Sequence, residues 1–505
     1  MHSRKMGNGK ICAAALALMV FALGGVGASV RAADSSARRV LPFDEAVRLA
    51  RVQSVDAAVA LNQLRAAYWR YRSYRAELLP EVLLGGTVPE FKRGYELYQR
   101  EDGSYRYVRT NMMSLTGSLS ISQNIPFTSG KIGVTTSLQD VFPVERGAQH
   151  HYLGVPIGVE LSQPLWSANR MMWERRIEPL RYKEAQAVYL SAVEKTTLEA
   201  VQRYFSLLLS QEELQSAQQN EATAKKLVEI AVVRRGNGDM SLNDFRHIRL
   251  NALNAEAARR NAEEAWVERM YSLKSFLGLP EQDTIVAELP TVAPYAEVDY
   301  AEALGYASQN NAVTPQRARR MQEARYGVAK AKGNLFGAEL IASVGLTGQG
   351  AKVEDAYRNP IDYQQVRIGI SIPIVDWGRR RGQVRMAQWS QKVVEAQLAQ
   401  EEQLYRQELS LLVSRYNRQQ HQLDLAFAAD TLAEARYQSS IEIFVAGQIG
   451  MLELNDAQQA KDNARKRRIV ELHLYWNYYY RLRAETLHDF TDQAPIDLEV
   501  EKLVR

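Results

Sequence analysis

Seven histidines are scattered through the 505 residues: His2, His150, His151, His247, His421, His473 and His488. None stands in an HExxH or other metal-ligand spacing. His150 and His151 adjoin one another in a loop, where adventitious metal binding is the only chemistry open to them. Ser129-Gly130-Lys131 matches only the tail of a phosphate loop, because the leading glycine and the following hydroxyl residue are missing. The one cysteine, Cys12, lies in an N-terminal apolar run, which leaves no disulfide, zinc knuckle or thiol nucleophile beyond it. No serine elbow occurs. The residues therefore predict neither an enzyme nor a cofactor. With 63 basic and 58 acidic residues the net charge is only +5, which points to no nucleic-acid partner. A chain 46% hydrophobic and 24% charged is expected to fold, and a mean hydropathy of -0.33 argues against a multi-helix inner-membrane transporter.

The elements that carry the remaining residues are legible from periodicity. Arg4, Lys5 and Lys10 precede an apolar stretch from Ile11 to Leu23, too short for a membrane span of about 20 residues. This reads as an export signal over residues 1–32, cleaved after Ala32, with Ala28 as the second choice. The rest of the chain reads twice. Phe43-Asp44-Glu45-Ala46-Val47 returns as Tyr300-Ala301-Glu302-Ala303-Leu304, and Gly238 with Leu242-Asn243-Asp244 returns as Gly450 with Leu454-Asn455-Asp456. A repeat this long is a duplication, not a solenoid period. The boundaries are set at 33–290 for the first repeat, 291–490 for the second and 491–505 for a C-terminal tail.

Two patterns alternate within each repeat. Leu190, Val193, Thr197, Val201, Tyr204 and Leu208 recur at spacings of three and four, predicting an amphipathic helix over 170–234. Its counterpart runs from Arg379 to about Phe444. Each would be ~95 Å long at 1.5 Å per residue, a length that suggests a coiled coil. Antiparallel partners are expected from Leu242 to Phe276 and from Leu454 to about Leu487. The second pattern has period two. Leu153, Val155, Ile157, Val159 and Leu161 alternate with small or polar residues, as do Val366, Ile368, Ile370, Ile372 and Ile374. Strands are predicted near 82–88, 111–123, 152–163, 339–347 and 365–374, with a further one near 131–138 that has no counterpart in the second repeat. One apolar face opposite a Ser/Thr/Gly face suits a barrel with lipid outside and water inside; a soluble sheet packed on a helix shows the same alternation. Glu90 to Arg109 and Gly348 to Tyr363 read as polar loops.

The duplicated order of helix, strand hairpin, long helix and helix, together with Ile370-Ser371-Ile372-Pro373-Ile374-Val375-Asp376-Trp377-Gly378-Arg379, Phe276-Leu277-Gly278-Leu279-Pro280 and Gly447-Gln448-Ile449-Gly450-Met451-Leu452-Glu453-Leu454-Asn455-Asp456, resembles the TolC family of outer-membrane efflux channels. The resemblance implies an α+β membrane protein: duplicated long antiparallel helical hairpins forming a periplasmic tunnel, plus strands contributed to a trimeric transmembrane β-barrel, usually four per protomer and twelve in all. It implies a passive export duct of a tripartite efflux or type I secretion system in the outer membrane. The implied partners are two further copies of the chain, a periplasmic adaptor, an inner-membrane transporter and outer-membrane lipid. Four strands cannot close a pore, and lipid does not tolerate open sheet edges, so a membrane role demands oligomerisation. The competing class is a periplasmic coiled-coil adaptor, although adaptors usually carry one helical hairpin rather than two.

By the same resemblance the tunnel entrance lies at the helix-helix turns. Its acidic ring positions fall on Glu453 and Asp456, the matching first-repeat residue is Asp244, and Phe444 takes the aromatic position. Three-fold symmetry would gather each carboxylate into a negative ring that favours cations. The alternative is that these acids simply start helices. The family's basic partner falls at Ile449, where no base stands. Gly236, Gly238, Gly447 and Gly450 allow the two turns, which are also the expected adaptor-docking points. Arg379, Arg380 and Arg381 read either as a contact to anionic headgroups or as a solvated charge run. The aromatic run Tyr475 to Tyr480 reads as interhelical packing.

Overall fold

The computed structural model describes residues 38–100, 102–144, 149–238, 240–291, 295–372, 374–496 and 500–503; the expected export signal and Pro373 lie outside them. The element order is β1 (Arg38–Leu41), α1 (Phe43–Gln53), α2 (Val55–Glu77), β2 (Glu81–Gln99), β3 (Tyr105–Ile125), β4 (Gly130–Pro143), β5 (His151–Pro164), α3 (Arg170–Gly236), α4 (Leu242–Leu277) and β6 (Thr284–Ala287). There follow α5 (Tyr300–Asn310), α6 (Val313–Gly333), β7 (Gly337–Gly350), α7 (Val353–Arg358), β8 (Ile361–Ser371), α8 (Arg379–Val445) and α9 (Met451–Thr486). Short pieces β9 (His488–Asp489), β10 (Ala494–Pro495) and α10 (Val500–Leu503) close the chain. Helix, strands, long helix and helix thus occur twice.

Helices α3 and α8, 67 residues each, run the length of the helical part at ~100 Å. Towards the sheet they are flanked by α2 and α6, and towards the far end by α4 and α9. The wall is one layer, with α4 and α8 not in extended contact with each other. Ion pairs stitch it together, such as Arg320 of α6 to Glu401 of α8 at 2.7 Å. The main core sits midway along the wall. Leu41 and Phe43 pack there on Tyr204, Phe205, Tyr475, Trp476 and Tyr480, so the 475–480 run is interhelical packing. The Tyr204 hydroxyl donates to the Leu41 carbonyl at 2.9 Å and accepts from the Glu288 N–H at 3.0 Å. That ties α3 to the end of the parallel β1–β6 pair. The expected tail is partly fastened, since β10 pairs with β9 and Arg65 donates to the Leu503 carbonyl.

The other end is one six-stranded antiparallel sheet in the order β2-β3-β4-β5-β7-β8. Strand β4, the segment near 131–138 without a counterpart, is paired along its length with β3 and β5. Register places Val82, Ile121, Val134, Val159 and Val344 in one row, and Ile132, Leu161, Ala342 and Val366 in the next. The opposite face carries Ser120, Thr135, Gly158 and Gly345 in one row, and Ser122, Gly133, Glu160 and Ser343 in another. The apolar face is bare: Leu84 is 80% exposed and Val366 72%. Among the described residues only the short helix α7 packs extensively on the sheet, so the soluble sheet covered by a helix is not what forms.

Three details differ from the alternation. The run Leu153 to Leu161 is not one face. A bulge around Pro156 interrupts the ladders to both neighbours, and Leu153 and Val155 turn to the face opposite Ile157, Val159 and Leu161. A like shift at Val88–Pro89 in β2 removes Val88 from its expected row. The expected loop Glu90 to Arg109 is instead a continuation of the β2–β3 hairpin, paired out to Gln99 and Tyr105, far beyond the ~9–11 residues of a membrane strand. Gly348 to Tyr363 contains α7, whose buried Ala356 seats on Gly154 and Gly348. A Cβ at Gly348 would collide with the Ala356 carbonyl oxygen.

Candidate entrance at the hairpin tips

The four candidate glycines divide by geometry. Gly238 and Gly447 have φ of 85° and 79°, the left-handed conformation that ends a helix without a Cβ penalty. Gly447 N–H reaches the Phe444 carbonyl at 2.9 Å and Gln448 N–H the Ile443 carbonyl at 3.1 Å, closing α8. Gly236 is the last residue of α3, and Gly450 is the extended N-cap of α9 at φ −87°; neither conformation requires glycine. Ser241 caps α4. Its Oγ accepts from Asp244 N–H at 3.0 Å and donates to Asp244 Oδ2 at 2.6 Å. Asp244 is therefore a helix-start residue held in a capping pair.

The two tips are packed together. Leu227, Ala231 and Ile248 of the first hairpin meet Tyr437, Phe444, Leu454 and Ala457 of the second, with Ile449 against them. Phe444 is buried in this cluster, and the position where a base was expected is filled by an apolar contact. Arg234 crosses between tips: its Nη2 donates to the Val445 carbonyl at 3.5 Å and lies 2.8 Å from where a Gly447 Cβ would be. Burial pushes the Tyr437 phenol up, and the Lys461 ammonium sits over its ring at 4.3 Å.

The acids of α9 lie one turn apart. Glu453 is exposed in the first turn and has no ion-pair partner among the described residues. Asp456 Oδ2 accepts from Arg436 Nη2 of α8 at 2.6 Å, both side chains being more than half exposed. Within one chain the structure thus brings Phe444 to the packed seam and leaves Glu453 and Asp456 on the surface, with Asp244 on the other hairpin. Arg436 and Arg234 are the functional candidates that motif matching misses. Arg436 was within reach of a simpler signal, since it and Asp456 are nearly equidistant from the turn at Gly447. Among the described residues no group of acids and histidines could hold a metal.

At the other end, three linkers between the sheet and the helices present exposed aromatic rings, Trp166, Phe336 and Trp377, and the β3–β4 turn beside them presents Phe127. Trp377 is 95% exposed and Phe127 83%. They lie just below the bare apolar rows, as the aromatic girdle of a membrane barrel does. Of the three adjacent arginines, Arg380 donates to the Asn334 and Leu335 carbonyls at 3.1 and 2.8 Å, which satisfies the end of α6. Among the described residues no helix is long and apolar enough to cross a membrane.

Residues 146–279 and 298–473 match the family model described as outer membrane efflux protein. No curated protein matches the sequence. Solved structures of similar fold include the outer-membrane channel OprN, at 16% identity, with 89% of this chain and 90% of that chain covered and a TM-score of 0.64. The Campylobacter jejuni CmeC outer membrane channel is similar at 14% identity, with 91% and 88% covered and a TM-score of 0.64. The outer membrane protein VceC of Vibrio cholerae is similar at 16% identity, with 89% and 96% covered and a TM-score of 0.62.

Proposed function

The chain belongs to the outer membrane efflux protein family, and from that premise we propose that three copies form the outer-membrane duct of a tripartite efflux or type I secretion system. The observation that carries this reading is the pair of unfinished margins. Strands β2 and β8 are unpaired edges of a sheet with a bare apolar face. Lipid admits such a sheet only if its edges close. At the helical end α4 and α8 are open margins. A cyclic arrangement joins β8 to the next protomer's β2, and α8 to the next α4, with the same operation.

In this assembly cargo enters at the hairpin tips and leaves through the sheet. Glu453 and Asp456 form acidic rings there, and the Arg436–Asp456 pair holds α8 against α9 at the entrance. The adaptor docks at the turns Arg234–Leu242 and Val445–Leu452, and the inner-membrane transporter supplies the energy; the duct performs no chemistry. The test is the native mass in detergent together with heat-modifiable migration of outer-membrane fractions. A mass three times that of the chain, lost on boiling, is expected. A monomer recovered in the soluble periplasmic fraction would refute the duct.

A further inference from the structure

We propose that the exit barrel of this channel has eighteen strands rather than twelve. The proposal rests on the trimeric reading above. Its ground is the sheet itself. β4 is not a flap over the rim: it pairs from Ile125↔Gly130 to Met112↔Pro143 with β3, and from Lys131↔Ser162 to Val141↔His151 with β5. Its apolar residues Ile132 and Val134 fall in the same rows as those of its neighbours. Each protomer therefore brings six strands to the wall.

Perimeters support the count. Where the wall meets the sheet it is built of α2, α3, α6 and α8, hence of twelve helices in a trimer. At helix spacings of 8–10 Å these span roughly 100–120 Å. Strands ~4.8 Å apart and tilted ~40° span about 110 Å for eighteen and only about 75 Å for twelve. Eighteen strands continue the tunnel without a step, with a backbone diameter of about 36 Å. The inner face is mostly small, with the Tyr363 ring lying against Gly158 and Gly345. Gly133, Ser118, Ser120, Gly158, Ser343 and Gly345 are small, and its charges, Lys131, Glu160, Glu339 and Arg367, cluster near the helical end.

The test uses the full-length protein, whose sequence beyond residue 32 has no cysteine, reconstituted in bilayers. Single cysteines are placed at Val134→Cys and Thr135→Cys in β4, with Val159→Cys and Ser120→Cys as lipid-side and lumen-side references. A charged, water-soluble maleimide should label Thr135→Cys at least about tenfold faster than Val134→Cys, as expected when adjacent residues of a wall strand face water and lipid in turn. Neutral polyethylene glycol about 20 Å across, added on the external side, should enter the barrel and lower the single-channel conductance. Equal labelling at the two β4 positions, or exclusion of that polymer, overturns the eighteen-stranded barrel while conductance persists. Absence of any conductance step refutes the channel itself, and the barrel with it.

Discussion

Glu194 is the most consequential charge in the helical wall. It is 1% exposed on α3, and its carboxylate accepts from Arg51 of α1 at 2.8 Å and lies 3.3 Å from Arg483 Nε of α9. Arg51 also donates to Thr197 Oγ1 at 2.9 Å, and Arg483 pairs with Asp489 beyond the end of α9. One carboxylate thus joins three helices that no sequence neighbour connects. Replacing it by Gln keeps the shape and removes the charge. An exposed pair would lose at most about 1 kcal/mol. Here two guanidinium groups are left facing a neutral amide, and removal of one partner of a buried pair costs about 3–5 kcal/mol. The Thr197 and Asp489 contacts hold the estimate towards the lower end. Urea unfolding of the detergent-solubilised protein, followed by intrinsic tryptophan fluorescence, should show Glu194→Gln destabilised by about 3 kcal/mol. Arg436→Gln, which removes an exposed partner, should stay within about 1 kcal/mol of wild type. Equal losses in the two variants would refute the view that burial, not pairing as such, sets the cost.

Other expectations follow from the same geometry. His473 is stacked on Phe205 at 5.2 Å, and burial depresses its pKa below the ordinary 6.5. The unfolded chain therefore takes up a proton first. The neutral ring's contribution to stability is present above the unfolded pKa and is lost as pH falls through the folded one. Between pH 7.5 and pH 5, His473→Phe should lose less stability than wild type, as read by urea midpoints; identical losses would contradict the assignment. Gly447→Val should cost about 1–2 kcal/mol from the left-handed backbone and displace Arg234, seen as faster hydrogen exchange at the tips while the mid-wall core is unchanged. Val159→Lys on the apolar face should cost about 2–4 kcal/mol in a bilayer, and Ser120→Lys on the opposite face far less. Outer-membrane assembly yields would separate the two, and equal yields would mean that the faces are misassigned.

The long helices were readable almost to the residue because their period persists over some eighteen turns. The expected Arg379–Phe444 ends one residue short of the observed Val445. The duplicated glycine turns marked the tips for the same reason. Other features lay outside local pattern. The two prolines inside strands rather than at strand ends, Pro89 and Pro156, sit at bulges, and a one-residue slip reverses every side chain beyond it. The extension of β2 and β3 past Phe91 mixes Tyr95, Leu97 and Tyr107 with Arg93 and Arg109 on the same face, so alternation is lost although pairing continues. The girdle of Phe127, Trp166, Phe336 and Trp377 consists of single rings far apart in the chain, and only the fold brings them to one level. Phe444 is an aromatic residue at a turn by sequence and a buried contact between hairpins in the structure. The difference is tertiary, as is the link from Asp456 to Arg436.

The central claim is that this chain conducts through a tunnel entered past Glu453 and Asp456. Its most direct test is single-channel recording of the purified protein in a planar bilayer, beside a Glu453→Gln, Asp456→Asn double variant. Discrete cation-selective steps are expected from the wild type, with selectivity reduced in the variant because two rings of three carboxylates are neutralised. Loss of the Arg436 pair should ease opening as well. Steps of unchanged selectivity would remove these residues from the entrance, and the absence of steps would contradict the channel.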